Sequence, residues 1–235
     1  VIISVLVMLC TAILGKVIYR HREERKAKVF RYGLVNSNAL FIGLPIIQSL
    51  LGDAGVLQLS MYMIFVRMFC WSYGLSLYTG VKSDWKGSFK RLLTHPCMIA
   101  AALGVAAMVT GIRLPAFLDR TLQYVSSCLM ALSMLLIGVV LSEIKLKEVF
   151  RGDVWRFTAL RLGVMPGIVF GLCKLCGVPY IVTATCTLVS GMPAASLTAV
   201  LAARYHGDSE LGALLVAVST ILSAVTIPLW FMILQ

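Results

Sequence analysis

The sequence predicts an all-α, polytopic membrane protein, and three observations carry that reading. Of 235 residues, 60% are hydrophobic and 13% charged, with a mean hydropathy of +0.92, whereas soluble domains hold roughly 25% charge and 45–50% apolar residues. Eight apolar runs are long enough, at ~20 residues, to cross a hydrocarbon layer of ~30 Å as helices; they span 1–19, 33–51, 56–79, 96–112, 121–141, 157–176, 180–203 and 209–234. None alternates as barrel strands do, and a helix satisfies its own backbone where lipid offers no partner. A water-soluble core is excluded on these grounds.

The net charge of +11 does not point to nucleic acid, because the basic residues gather in every second loop. Arg20, Arg22, Arg25, Lys26, Lys28 and Arg31 follow the first run. Lys82, Lys86, Lys90 and Arg91 follow the third, and Lys145, Lys147, Arg151, Arg156 and Arg161 follow the fifth, with Arg204 after the seventh. The intervening loops hold only Arg113, Arg120 and Lys174. The expected location is the cell membrane, multi-pass, with the basic loops cytoplasmic and both ends of this chain extracytoplasmic. The chain opens on an apolar run at Val1 without a basic leader, so no cleavable signal is expected. Seven cysteines lie almost entirely within the runs, where Cys behaves as a small hydrophobe. Cys173-Lys174-Leu175-Cys176 is a lone pair without the further ligands that zinc needs.

Taken in order, the runs repeat. Residues 1–79 read as a helix, a loop, a helix containing Gly43-Leu44-Pro45, a Gly52-Asp53 break and a helix. Residues 157–234 read the same way, with Gly191-Met192-Pro193 and Gly207-Asp208. Two helices, 96–112 and 121–141, lie between, so equivalent helices are five spans apart and cross in opposite directions. This is the inverted-repeat plan of many membrane carriers. The expected organisation is the last three helices of a first repeat at 1–79, a cytoplasmic linker at 80–95, and a second five-helix repeat at 96–235. Eight of ten helices are then present, and the chain reads as N-terminally truncated.

Proline within a helix removes a donor and clashes with the carbonyl four residues back, so Pro45 and Pro193 are expected to break the helices 33–51 and 180–203. Freed backbone groups are tolerated in a membrane only inside protein or beside a watery cavity, and half-helix N-termini suit a carboxylate. Asn36, Ser37 and Asn38 lie by the first break; Thr185, Thr187, Ser190, Ser196 and Thr198 surround the second. Such side chains hydrogen-bond a solute or join helices, and Asn38 is the stronger ligand because a primary amide in lipid needs several partners at once. Arg67 sits about 16 to 18 Å from either end of its span, too deep to reach the interface easily. It either attracts an anionic solute or braces carbonyls of another helix. All acidic residues fall in loops or at span ends, leaving no carboxylate for a mid-membrane proton relay. His21, His95 and His206 lack metal-like spacing, and no zinc, P-loop or nucleophile-elbow motif is present, so no enzyme and no metal are expected.

These residues carry a family resemblance. Asn38-Ala39-Leu40-Phe41-Ile42-Gly43-Leu44-Pro45 followed by Gly52-Asp53 resembles the first crossover helix of the auxin efflux carrier family. Met192-Pro193-Ala194-Ala195-Ser196, Tyr205-His206-Gly207-Asp208 and Ser219 to Pro228 are similar to its second crossover and last helix. His95-Pro96 and Leu132 to Gly138 fit its sixth and seventh helices. The resemblance covers essentially the whole chain, in the short-looped bacterial form; Leu40 stands where a small residue is expected, and Arg67 has no counterpart in the pattern. It implies a ten-helix carrier of inverted repeats, with a scaffold group and a transport group whose fourth and ninth helices cross at their prolines. The implied activity is secondary active transport of a small organic anion, such as a mono- or dicarboxylate, by alternating access. Asn36, Asn38, Gly43, Pro45, Arg67, Ser190, Gly191, Pro193 and Ser196 are the expected substrate-binding residues. No cofactor is expected, with H+ or Na+ left open as coupling ion; the expected partners are the solute, the lipid bilayer and a second copy of the chain. A sodium-coupled symporter resembling the bile acid symporters and a solute-sensing receptor are the alternative readings.

Overall fold

A computed structural model of the chain describes residues 2–79, 96–111, 114–142 and 150–235. Among these residues every regular element is a helix, as expected of an all-α membrane protein. In chain order they are α1 (Ile2–Ile18), α2 (Glu24–Val35), α3 (Leu44–Phe69), α4 (Leu75–Thr79), α5 (Pro96–Thr110) and α6 (Ala116–Ser142). There follow α7 (Gly152–Ala159), α8 (Met165–Leu175), α9 (Tyr180–Ser190), α10 (Leu197–Arg204) and α11 (Ser209–Leu234). Wider π turns at Ala39–Gly43, Cys70–Gly74 and Leu160–Val164 lead into α3, α4 and α8. The expected linker 80–95 lies outside the described residues, as do Arg113, Lys145 and Lys147.

Local chemistry places the ends of these helices. The basic segment after α1 is shorter than expected, because α2 already begins at Glu24. Lys26 pairs with Glu23 at 3.3 Å and Lys28 with Glu24 at 2.9 Å, and the acidic first turn complements the positive helix end. The hydrogen bond from Lys28, with the attraction of its charge, holds the Glu24 carboxyl below its usual range. At α8 the amides of Gly177 and Val178 donate to the Lys174 and Cys173 carbonyls, with Gly177 at φ 62°. The Cys173–Cys176 pair is therefore part of a helix C-cap that needs a left-handed glycine. α11 starts on Asp208, whose carboxylate accepts from the Leu211 amide at 2.9 Å.

By length and composition, Ala39–Arg67, Gly152–Leu175 and Ser209–Leu234 can each cross a membrane, with shorter apolar helices at Ile3–Ile18 and Tyr180–Ser190. Ala39–Arg67 is itself interrupted at Gly52, φ 63° and ψ −159°, which is where the expected spans 33–51 and 56–79 part. Spans 33–51 and 180–203 fall short as single helices because each is divided within.

α1–α4 and α7–α11 pack into one body. Tyr19, Phe30, Tyr32, Tyr78, Phe157 and Leu211 form the core at the end that carries the basic segments, where Tyr19 and Phe30 stack at 4.5 Å. Arg25 donates there to the His206 and Gly207 carbonyls, so the 20–31 and 204–208 segments share one end of the molecule. Val7, Ile47, Leu59, Val169 and Cys186 fill a second core. α6 touches this body along the π turn Ala39–Gly43 and α11, while Leu103, Phe117, Tyr124, Val125 and Leu132 of α5 and α6 stay exposed.

One proline has a visible remedy. Pro166 cannot donate to the Leu162 carbonyl four residues back, and the indole Nε1 of Trp230 on α11 donates to it at 2.8 Å. Trp230→Phe should therefore lower stability by about 1–3 kcal/mol, read as thermal unfolding in detergent. In a Pro166→Ala background the loss should shrink, since the alanine amide can serve that carbonyl; an equal loss in both backgrounds would refute this account.

Candidate functional site

The two divided helices meet where they are divided. α2 ends at Val35, and the Asn36 amide closes its last turn on the Tyr32 carbonyl at 2.9 Å. The chain then runs extended through Asn36, at φ −95° and ψ 112°, to Asn38. In the second divided helix α9 ends at Ser190, and residues 191–196 lead to α10. The extended segments pair antiparallel, Ser37 opposite Ala194. The Asn38 amide donates to the Pro193 carbonyl at 2.8 Å, and the Ala195 amide donates to the Asn36 carbonyl at 3.1 Å. Each break thus satisfies backbone groups that the other exposes, as hydrocarbon surroundings demand.

Two further side chains complete the crossing. The Ala194 amide donates to Ser219 Oγ on α11 at 3.1 Å, and that hydroxyl donates to the Leu215 carbonyl at 2.6 Å. Arg161 Nε donates to the Met192 carbonyl at 3.1 Å, and its Nη1 donates to the Leu34 carbonyl. One guanidinium therefore bonds the ends of both divided helices.

Most of the expected site residues are gathered here. Asn36 is buried, and its Nδ2 donates to the Tyr32 hydroxyl at 2.9 Å. Asn38 is 2% exposed, and among the described residues its Nδ2 has no hydrogen-bond partner. The same holds for the hydroxyls of Thr187, Ser196 and Thr198. Ser190 is occupied by the Thr187 carbonyl at 2.8 Å. A Cβ on Gly43 would sit 3.5 Å from Met192, and one on Gly191 would sit 3.4 Å from the Pro166 ring, so both glycines let the segments come close.

Two expected residues stand apart. Pro45 does not mark the first break: it occupies the start of α3, behind the π turn, seven residues beyond Asn38. The helix that begins at Ala39 runs on through Pro45, and the π turn Ala39–Gly43 just ahead of the proline takes the place of regular four-residue bonding there. Pro45 lines a cavity of about 530 Å³ with Leu40, Phe41 and Gln48 on one side and Asp119, Gln123 and Ser126 of α6 on the other. Arg67 is half-buried on α3 and, among the described residues, makes no hydrogen bond to the crossing.

Arg161 corrects the sequence reading, which counted it with a cytoplasmic loop. It is 2% exposed and sits in the π turn Leu160–Val164, about 14 Å along the helix from Gly152. The signal lay in helical spacing: Val154, Phe157, Thr158, Arg161, Leu162 and Met165 are all buried and recur at the three-to-four-residue interval of one helix face.

The crossing sits in a chain whose relatives are transporters. A family model described as membrane transport protein matches residues 1–88 and 85–231. The chain belongs to the membrane transport protein family. This is the auxin efflux carrier type that the motifs at Asn38 and Met192 suggested. A protein of Methanocaldococcus jannaschii described as an uncharacterized transporter is 27% identical over 229 residues, covering 93% of this chain and 71% of that protein. Another of that description, from Methanothermobacter thermautotrophicus, is 27% identical over 240 residues, covering all of this chain and 78% of its own length.

In this membrane transport protein the crossing offers amide, hydroxyl and guanidinium donors. Among the described residues the acidic side chains lie elsewhere, as at Asp53, Asp119, Asp153 and Asp208 near helix starts and bends. Ser219→Ala should leave the buried Ala194 amide without an acceptor and cost about 1–3 kcal/mol, whereas Ser223→Ala, four residues further along the same helix, should cost less. Thermal unfolding of the two variants in detergent compares them directly; equal losses would show that the bond to Ala194 is not what Ser219 supplies.

Proposed function

We propose that this membrane transport protein is a secondary active carrier of a small organic anion, a mono- or dicarboxylate, working by alternating access around the crossing. One observation carries the reading: the Asn38 amide is buried at the crossing with its Nδ2 donors unpartnered among the described residues. It stands at the start of the half-helix that begins at Ala39, while Ser196 stands at the start of α10. Helix N-termini carry about +0.5 of an elementary charge each, so a carboxylate gains both hydrogen bonds and electrostatic attraction there. Gly43, Gly191 and Pro193 shape the backbone of the crossing, and Asn36, Ser190 and Ser196 flank it. In this reading the basic segments lie on the cytoplasmic side and both chain ends on the other.

Uptake into proteoliposomes, measured over a panel of mono- and dicarboxylates, tests the proposal. Hydrogen bonds to charged groups are worth about 1.5–3 kcal/mol, so Asn38→Ala should raise KM for the transported anion about tenfold or more with the fold intact. Asn38→Asp should reduce uptake further, by placing a negative charge against the solute. Flux of no anion in the wild-type protein would defeat the carrier reading, and an unchanged KM in Asn38→Ala would move the site elsewhere.

A further inference from the structure

The crossing joins four helix ends, and their charges fall into two pairs. α2 ends at Val35 and α9 ends at Ser190, and each C-terminus carries about −0.5 of an elementary charge. Their sum is about one negative charge, concentrated on carbonyls that lack intrahelical donors. The Leu34 carbonyl belongs to the last turn of α2, and the Met192 carbonyl lies just past the end of α9. Both accept from Arg161. The titratable groups near Arg161 are the phenol of Tyr62 and the thiol of Cys70, and no carboxylate is hydrogen-bonded to it among the described residues. The guanidinium is therefore answered by helix ends rather than by an acid.

Resting on the anion-carrier reading, we infer that Arg161 is a built-in cation occupying the carbonyl site that a free coupling cation would otherwise take at the crossing. The anion can then be carried without sodium bound there. The chemistry favours a tethered guanidinium over a metal ion at this place. Sodium needs several oxygens around it, whereas the described contacts supply two backbone carbonyls, both reached by one planar donor group. The tether also fixes the charge to the helix running through α7 and α8, so the positive centre moves with the crossing rather than arriving with the solute. The C-terminal pair of helix ends is thereby neutralised permanently, and only the N-terminal pair remains for the transported anion.

Three versions of the full-length protein test this: the wild type, Arg161→Lys and Arg161→Gln. Flux of the anion in proteoliposomes is measured with sodium and then with N-methylglucamine in its place. The wild type should be unchanged within twofold, Arg161→Lys should keep flux within about tenfold of it, and Arg161→Gln should fall by more than tenfold. A wild-type flux that collapses without sodium, or equal flux in the lysine and glutamine variants, would overturn the inference. A second readout needs no transported solute: thermal unfolding of Arg161→Ala in detergent, at fixed ionic strength, with added guanidinium or sodium. The vacated site should let one of these cations raise the unfolding temperature by about 3 °C or more, with wild type and Arg161→Lys unmoved. An Arg161→Ala protein that is destabilised yet indifferent to both cations would reduce Arg161 to a packing brace. If the wild type moves no anion, the carrier reading fails while the thermal comparison still decides the cation site.

Discussion

Everything at the centre of this molecule follows from dividing two helices inside an apolar body. A helix divided there exposes backbone donors and acceptors, and each one left unmet in hydrocarbon costs several kcal/mol. The structure meets them by placing the two breaks against each other, so that the Asn38 amide finds the Pro193 carbonyl and the Ala195 amide finds the Asn36 carbonyl. Two hydrogen bonds of that kind cannot close the whole account, since four helix ends meet within a few residues. Ser219 and Arg161 supply the remaining visible partners, each from a different neighbouring helix.

The same constraint explains the distortions further out. An arginine at the middle of a membrane-spanning helix costs about 2.5–3.5 kcal/mol on insertion scales, and Arg161 is retained here against carbonyls of both divided helices. The π turn Leu160–Val164 places it, and a π turn is the usual way a helix accommodates one added residue near a functional centre. Two residues past that turn stands Pro166, whose ring abuts Gly191 at the end of α9. The carbonyl that Pro166 cannot serve is taken by Trp230. Packing at the crossing is thus linked, bond by bond, to α11.

Composition and run length were enough to read the all-α membrane class, because hydrocarbon leaves few alternatives for the backbone. The pairing of the two extended segments was legible in outline, since Asn36, Asn38, Pro193 and Ser196 are polar or helix-breaking residues in otherwise apolar runs. The position of the first break was not. Proline reports a missing donor, and at Pro45 the helix absorbs that loss behind a π turn and continues; the extended segment sits instead at the two asparagines, which tolerate a helix end. Arg161 was hidden for a different reason. Charge serves as a marker of water in reading topology, and the marker fails when backbone carbonyls from another part of the chain replace the water. Those carbonyls belong to Leu34 and Met192, which are adjacent only in the folded molecule. Ser219 was hidden likewise, because a hydroxyl on an apolar helix gives no sign of the amide it will receive.

The distribution of satisfied groups also bears on where the proposed carrier would move. Within α1–α4 and α7–α11 the two breaks are held by mutual hydrogen bonds and by Arg161, so separating them would expose buried backbone on both sides. The boundary with α6 is different. It meets the π turn Ala39–Gly43 and α11, and along it runs the cavity between Pro45 and the side chains of Asp119, Gln123 and Ser126. Sliding at that seam breaks none of the crossing's hydrogen bonds, and polar groups on both walls can exchange one partner for another or for water. A displacement confined to the seam would carry the crossing as a unit, with the Asn38 amide and the Arg161 cation keeping their places in it. Alternating access of this form demands rigidity at the site and compliance beside it, and the hydrogen bonds and the cavity are distributed in that way.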